Sequence, residues 1–206
     1  MSDRWKTDHV KESIICLDPG HGGVEYGVKA YGLSEKDVCL DMTRRIAAYL
    51  NRHGKVRGLL TRAGDTALDW RERIRQAEDI EADLLLSIHT NGSENPMEAG
   101  FETYISGCAG LDLRSLQARL HNHVAAFLRP FGIWDRGKKY DSESYRGWIP
   151  LLEEAPCPAI QLELFYLTHA GEKSWYRHSR FRDALAFTIA EGAALLLQRE
   201  NRLPVR

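Results

Sequence analysis

The sequence lacks the features that would place the protein in a membrane or on nucleic acid. No run approaches the roughly 18 apolar residues that a membrane-spanning helix needs. The 28 Lys and Arg nearly balance the 29 Asp and Glu, and the net charge is -1. This balance gives no electrostatic reason to expect nucleic acid or an anionic membrane as a partner, and the lack of a long apolar run argues against membrane insertion. The chain also contains no internal repeat and no low-complexity linker, so we expect residues 1–206 to form one domain that acts as a monomer.

Cysteine is scarce and dispersed along the chain. The four cysteines form no CxxC pair; they are Cys16, Cys39, Cys108 and Cys157. This spacing argues against a cysteine zinc site and against a compact disulfide framework. We therefore expect four reduced thiols with structural roles.

The N-terminal segment lacks the apolar stretch of a secretory signal peptide. Residues 1–12 form a polar tail that runs directly into the first apolar segment. We therefore expect the protein to be cytoplasmic as synthesised. If its substrate lies outside the membrane, something else must carry the protein there.

Apolar runs alternate with segments of helical period along the whole chain. Five runs predict strands, namely residues 14–17, 56–60, 84–88, 101–105 and 159–164. Four segments predict helices, one beginning after an N-cap at Ser34 with Asp37 in the capping-box position, and three near residues 68–80, 112–129 and 179–200. This order predicts an α/β fold with helices on both faces of the sheet. The alternating run 101–105 predicts a strand nearer an edge.

Two histidines directly follow predicted strands. His21 lies in the sequence DPGHGG, where flanking glycines allow a sharp turn and leave the imidazole projecting from a crowded loop. His89 follows the run 84–88, at the carboxyl end of an interior strand, where open α/β sheets bind ligands. Each histidine also has an ordinary interpretation as an incidental side chain at a strand exit.

Two carboxylates complete the candidate set. Glu35 lies in the first turn of the first predicted helix, where the helix dipole alone favours an acidic residue. Glu163 lies inside an apolar run, where a carboxylate needs a partner or a shifted pKa. Taken singly, Glu35 is better explained structurally and Glu163 functionally.

Together the four residues predict a zinc hydrolase. His21, Glu35 and His89 make the three-ligand set of a catalytic zinc site, with one Zn²⁺ per chain and the fourth position left for water. Bound zinc lowers the pKa of that water to about 7. Glu163 then takes the proton of the water and delivers it to a leaving amine. If the strands involved are parallel neighbours, His21, His89 and Glu163 converge on one edge of the sheet.

A set of motifs resembles the N-acetylmuramoyl-L-alanine amidases of the zinc-dependent type 3 family. The matching segments cover nearly the whole chain in the right order; they are residues 17–23, 32–37, 60–62, 87–91, 100–104, 136–138 and 158–163. The resemblance implies that His21, Glu35 and His89 bind zinc and that Glu163 is the catalytic glutamate. It implies hydrolysis of the amide between N-acetylmuramic acid and L-alanine in peptidoglycan. It also implies a mixed, mostly parallel central sheet.

Two departures from the family pattern carry further expectations. After Glu163 the family usually continues with Gly-Phe and a nearby Asn, whereas this chain reads LFYLTH. This difference predicts an altered wall beside the site and an altered preference for the stem peptide. The sequence also shows no wall-binding module and no long regulatory insertion before the last strand. Both absences favour a phage or prophage endolysin that acts on the cell wall or periplasm after release.

Two other functions remain open at this level. A zinc peptidase or deacylase acting on another cell-wall amide would use the same four residues, so only the product distinguishes it. A non-catalytic wall-binding module of the same fold is disfavoured because all four residues are present. The sequence His121-Asn122-His123 does not indicate a nuclease, since residues one and two apart on a helix do not share a face, and we expect it on the surface.

Overall fold

The structure is a computed structural model that describes residues 12–52 and 55–200. The predicted polar tail, residues 1–12, therefore lies outside the described residues except for its last position. The elements follow in the order β1 (Ser13–Pro19), β2 (Lys29–Ala30), β3 (Leu33–Ser34), α1 (Glu35–Leu50), β4 (Val56–Leu60), α2 (Trp70–Asp79), β5 (Leu84–Asn91), β6 (Phe101–Ile105), α3 (Leu111–Leu128), β7 (Asp135–Tyr140), α4 (Pro150–Glu153), β8 (Ala159–Tyr166), α5 (Ala170–Tyr176) and α6 (Ser179–Glu200).

Six strands form one mixed sheet in the order β4-β1-β5-β8-β6-β7. Every neighbouring pair is parallel except β6 and β8, which run antiparallel. Strands β2 and β3 pair separately, just before α1. The expected α/β architecture with a mostly parallel central sheet is confirmed. No helix within the described ranges combines the length and apolar character needed to cross a membrane.

Alternation along the strands divides the sheet into two unequal faces. In β1, Ile15 and Leu17 pack into the larger core, which α1, α3 and α6 cover, whereas Cys16 packs into the smaller one. Burying one such apolar side chain stabilises the fold by about 1.5–3 kcal/mol. The short helices α2 and α4 cover only part of the second face. The sheet is therefore left open there, beside the carboxyl ends of its parallel strands.

The starts of α1 and α2 use different capping chemistry. Ser34 is the N-cap of α1, as predicted, but its hydroxyl donates to the Asp37 carboxylate and caps no backbone N–H. The capping box predicted there is therefore wrong. A complete capping box forms instead at α2, between Asp69 and Glu72. This helix begins at Trp70, two residues later than the predicted start near residue 68.

On the far side of the sheet one expectation is confirmed and one needs correction. β6 lies next to the edge, as expected, because β7 pairs with its outer side and is the edge strand; every residue of β6 is nevertheless buried. His121 is fully buried rather than on the surface. Its Nδ1 lies 3.0 Å from Thr103 Oγ1 and its Nε2 lies 2.8 Å from Asp135 Oδ1. The two hydrogen bonds satisfy both ring nitrogens, so this histidine connects α3 to the sheet.

Candidate active site

The parallel strands β1, β5 and β8 are neighbours, so their carboxyl ends meet at one edge of the sheet. The register sets Asp18 beside Ser87 and His89 beside Glu163. On the other side of β8, the antiparallel strand β6 sets Glu102 beside Glu163. The topology therefore brings His21, just beyond β1, to the edge that carries His89 and Glu163.

His21, Glu35 and His89 form a compact cluster at this edge. One ligand atom from each lies within 4.8 Å of the others. Glu35 Oε2 lies 3.1 Å from His21 Nε2, and Glu35 Oε1 lies 3.0 Å from His89 Nδ1. Burial favours a higher pKa for Glu35, but its hydrogen bonds to His21 and His89 outweigh that effect and hold its pKa well below the usual range.

The backbone around the cluster fixes the Glu35 carboxylate. The amide of Val28 donates to Oε2 at 2.9 Å, and the amide of Thr90 donates to Oε1 at 3.0 Å. Each carboxylate oxygen therefore contacts one backbone N–H and one imidazole. Because Glu35 is the first residue of α1, a rigid helix end also holds its main chain.

Close packing explains two of the glycines around the cluster. A Cβ added at Gly20 would lie 2.3 Å from Cε1 of the His89 ring, and one at Gly27 would lie 2.4 Å from Glu35 Oε2. Gly20 therefore provides room for the His89 imidazole. The left-handed backbone conformation begins at the next residue, His21. His21 itself has φ 58°, an uncommon conformation for a residue with a side chain.

Two buried arginines hold the loop that carries His21. Arg73 donates to the carbonyl oxygens of Pro19 and His21, each at 2.8 Å. Arg62 donates to the carbonyl oxygens of Pro19 at 3.0 Å and Gly20 at 2.8 Å. The left-handed backbone at His21 is thus maintained by hydrogen bonds from Arg62, just beyond β4, and from Arg73 of α2. The motif containing Arg62 pointed to this region, but nothing in the sequence identified Arg73.

Asp18 is the charged partner of Arg73 beneath the loop. Its side chain is 1% exposed, and Arg73 Nη1 donates to Oδ1 at 2.6 Å. Thr61 and Ser87 donate to the two carboxylate oxygens at 2.6 and 2.8 Å. Burial opposes ionisation, but the charge of Arg73 and these hydrogen bonds together lower the pKa of Asp18.

Glu163 lies beside the cluster and is only 8% exposed. Its Oε1 accepts a hydrogen bond from Gln161 Nε2 at 2.7 Å, whereas its buried Oε2 has no hydrogen-bond partner. Burial, with the negative charge of Glu35 adding to it, raises the pKa of Glu163 well above the usual range. The carboxyl group therefore has one oxygen fixed and one available.

A charged network that the sequence did not predict supports the other side of Glu163. Glu102 is 2% exposed and accepts hydrogen bonds from Asn91 at 2.7 Å and from the Tyr104 hydroxyl at 2.9 Å. Arg136 donates to it at 3.1 Å, and Lys139 also forms an ion pair with it. Arg136 therefore has a structural role, since it links β7 to Glu102 of β6, the residue that lies beside Glu163.

The cluster opens into a cleft of about 720 Å³ on the less covered face of the sheet. Its walls come from the loop after β1, the start of α2 and the segment that leads into α4; aromatic residues among them are Trp70, Tyr104, Tyr145 and Trp148. The expectation that residues 164–169 alter this wall is wrong for Leu164 and Phe165. Both are fully buried in the larger core, and neither lines the cleft.

Comparisons with known proteins agree with this geometry. The family described as N-acetylmuramoyl-L-alanine amidase matches residues 15–194. The chain is 30% identical over 191 residues to the endolysin of Bacillus phage SPP1, covering 92% of this chain and 68% of the endolysin. It is 30% identical over 193 residues to the amidase LytC of Bacillus subtilis (strain 168), covering 93% of this chain but only 37% of LytC.

A solved structure is similar over nearly its full length. The catalytic domain of CwlV, an N-acetylmuramoyl-L-alanine amidase from Bacillus (Paenibacillus) polymyxa var. colistinus, superposes with a TM-score of 0.80 at 28% sequence identity. The match covers 90% of this chain and 98% of that domain. With the family match over residues 15–194, this places the chain among enzymes: it belongs to the N-acetylmuramoyl-L-alanine amidase family.

Proposed function

We propose that the protein is a zinc-dependent hydrolase of the amide between N-acetylmuramic acid and the L-alanine of the peptidoglycan stem. In this proposal His21, Glu35 and His89 hold one zinc ion, and Glu163 is the catalytic acid–base group. The observation that carries it is the cluster of three ligand atoms within 4.8 Å of one another beside a buried carboxylate with a free oxygen.

The donor set fits zinc. Imidazole nitrogen and carboxylate oxygen bind zinc at about 2.0–2.2 Å, which sets the ligand atoms of one tetrahedral ion roughly 3–4 Å apart. Glu35 reaches His21 with one oxygen at 3.1 Å and His89 with the other at 3.0 Å, and one ligand atom from each of the three residues lies within 4.8 Å of the others, so the three can converge on one ion. Three protein ligands are the number typical of catalytic sites, which keep one position open. When bound, zinc supplies Lewis-acid polarisation of a carbonyl and makes a water nucleophilic near neutral pH.

Glu163 has the surroundings that a proton-transfer group needs. Gln161 holds its Oε1, so the carboxyl group keeps one orientation while Oε2 has no hydrogen-bond partner; a cation held by the neighbouring cluster would favour the ionised carboxylate, which is the form that accepts a proton. In the proposed reaction Oε2 takes the proton of the attacking water and passes it to the nitrogen of the leaving L-alanine. The burial of Glu163 keeps bulk water away from this transfer.

The open cleft suits a branched substrate in which a peptide leaves a sugar. The similarity to a phage endolysin over 92% of the chain supports peptidoglycan as the substrate, and we propose an endolysin-like role in lysis. We further propose that the chain acts as a monomeric single catalytic domain. A peptidase or deacylase acting on another cell-wall amide would use the same residues.

The reaction product tests the choice of bond. Digestion of peptidoglycan is expected to free the N-terminal amine of L-alanine without producing new reducing sugar, because an amidase leaves glycosidic bonds intact. Mass spectrometry of the released fragments measures both. Cleavage only within the stem peptide would support the peptidase alternative. New reducing ends would show that a glycosidic bond is cut, which would contradict both the amidase and the peptidase.

The substitution Glu163→Gln tests the mechanism. Glutamine is nearly isosteric but cannot accept the proton. The variant is expected to keep its fold and its zinc while the rate falls by roughly 10²–10⁴-fold. Glu35→Gln is the matched comparison, and it is expected to weaken zinc retention first. Zinc content and rate are measured on the same preparation. Loss of zinc from Glu163→Gln would make Glu163 a ligand, and a near wild-type rate would leave it a purely structural residue.

A further inference from the structure

The charges that line the cleft are unevenly balanced. Five lining residues are acidic; they are Asp18, Glu25, Glu35, Asp69 and Glu163. Two lining residues are arginines, and Arg73 is already paired with Asp18. Among the described residues, Arg146 has no ion-pair partner, and its side chain is exposed to the cleft. Arg146 is therefore the one cleft arginine whose charge no protein carboxylate neutralises by contact.

The loop that carries Arg146 is anchored at its base. The buried carboxylate of Asp141 accepts hydrogen bonds from the backbone amides of Gly107 and Ser142, both at 2.9 Å, and of Ile149 at 3.2 Å. A turn closes the loop, with the Gly147 amide donating to the Ser144 carbonyl at 2.9 Å. These contacts hold the main chain of residues 142–148 at the cleft wall and so fix the position from which the Arg146 side chain extends.

Two further observations concern the wall that carries Arg146. Burial and Glu35 raise the pKa of Glu163, and the positive charge of Arg146 is near enough to act against them. The Ser144 hydroxyl lines the same cleft, is shielded from solvent and has no hydrogen-bond partner. The guanidinium of Arg146 and the unpaired hydroxyl of Ser144 therefore lie on the same wall of the cleft.

We propose that Arg146 forms a binding site for a carboxylate of the stem peptide, one or two residues beyond the scissile amide. This inference rests on the proposed function and adds a specificity determinant to it. The planar guanidinium matches a carboxylate with two parallel hydrogen bonds. Asp18 is paired with Arg73 and Glu35 would be neutralised by the metal, so Glu25 and Asp69 are the acidic lining residues that would repel a negatively charged peptide, and Arg146 offsets them. The site therefore selects peptides that keep this carboxylate free over peptides in which it is amidated.

The test compares two probes, muramyl-L-alanyl-D-glutamate and the same compound with its glutamate carboxylates amidated. Steady-state kinetics are measured for the zinc-loaded wild type and for Arg146→Gln and Arg146→Lys. The control is Arg75→Gln, which removes an exposed arginine of α2 that does not line the cleft. Arg146 is exposed on a loop, so thermal unfolding of its variants should match that of the wild type.

The wild type is expected to prefer the free carboxylate. Arg146→Gln should raise KM for that probe by roughly 10–100-fold, the usual worth of hydrogen bonds to a charged group, and leave KM for the amidated probe unchanged. Arg146→Lys should keep part of the preference because it keeps the charge but loses the planar fork. Arg75→Gln should behave like the wild type.

Two results would overturn the inference in distinguishable ways. If the wild type cleaves both probes equally well, or if Arg146→Gln lowers kcat on both by the same factor, Arg146 does not read the carboxylate and the proposed function still stands. If the wild type releases L-alanyl peptide from neither probe, the proposed function itself is wrong, and the carboxylate site is refuted with it.

Discussion

Replacing Arg73 with methionine removes the cation that faces Asp18 beneath the His21 loop. Methionine keeps most of the length and apolar volume of the side chain, so the change is mainly one of charge and hydrogen bonding. The Asp18 carboxylate would keep only Thr61 and Ser87 as donors. The carbonyl oxygen of His21 would lose the hydrogen bond from Arg73 as well, whereas that of Pro19 would keep Arg62 as a donor.

Breaking a buried ion pair by removing one partner costs about 3–5 kcal/mol. For a domain of this size 1 kcal/mol shifts Tm by about 2–4 °C, so the expected drop in Tm is roughly 6–20 °C. The assay is urea and thermal unfolding in the presence of a chelator, so that a change in zinc binding does not contribute. The double variant Asp18→Asn, Arg73→Met is expected to regain part of the loss, because it no longer buries an unpaired charge. A single variant within 1 kcal/mol of the wild type would refute this account of the loop.

The same pair predicts how stability depends on pH. The folded state lowers the pKa of Asp18 below its ordinary value of 3.8. A lowered pKa means that the stabilisation is complete above the unfolded-state pKa and is lost as the pH falls through the folded-state pKa. The wild type should therefore lose this contribution only in acid, below about pH 4. In Asp18→Asn this part of the acid dependence should be missing when unfolding is followed between pH 7 and pH 2.

Two further predictions concern the metal cluster. His89→Ala is expected to release most of the one zinc per chain, since a site with two ligands binds far more weakly, and elemental analysis of the dialysed protein measures this; full zinc content with normal activity would contradict the ligand assignment. Gly20→Ala places a methyl group 2.3 Å from the His89 ring, so it should weaken zinc binding by displacing that imidazole. Competition with a chromogenic chelator measures the affinity, and Gly110→Ala, whose added Cβ meets nothing within 4 Å, is the matched control.

The sequence predicted those parts of the fold that depend on local pattern. The five predicted strands are present because each carries an apolar run, and β7 was missed because Asp135–Tyr140 is charged and forms the sheet edge. The convergence of His21, His89 and Glu163 followed from strand ends and parallel pairing. Arg73 could not be predicted, because its partner Asp18 lies 55 residues away and only the packing of α2 brings them together. His121 was misplaced for the same reason, since this residue of α3 is buried against partners on two strands, Thr103 of β6 and Asp135 of β7.

The Asp141 anchor has a consequence for engineering the specificity of the enzyme. All three of its hydrogen bonds are accepted from main-chain amides, so the anchor does not depend on which side chains the loop carries. Residues 144–146 can therefore be exchanged while Asp141, Gly147 and Glu143, whose carboxylate accepts from the Tyr140 amide at 2.8 Å, are retained, and we expect the new loop to keep its place at the cleft wall. The scaffold separates the part that cuts the amide from a replaceable segment that chooses the peptide.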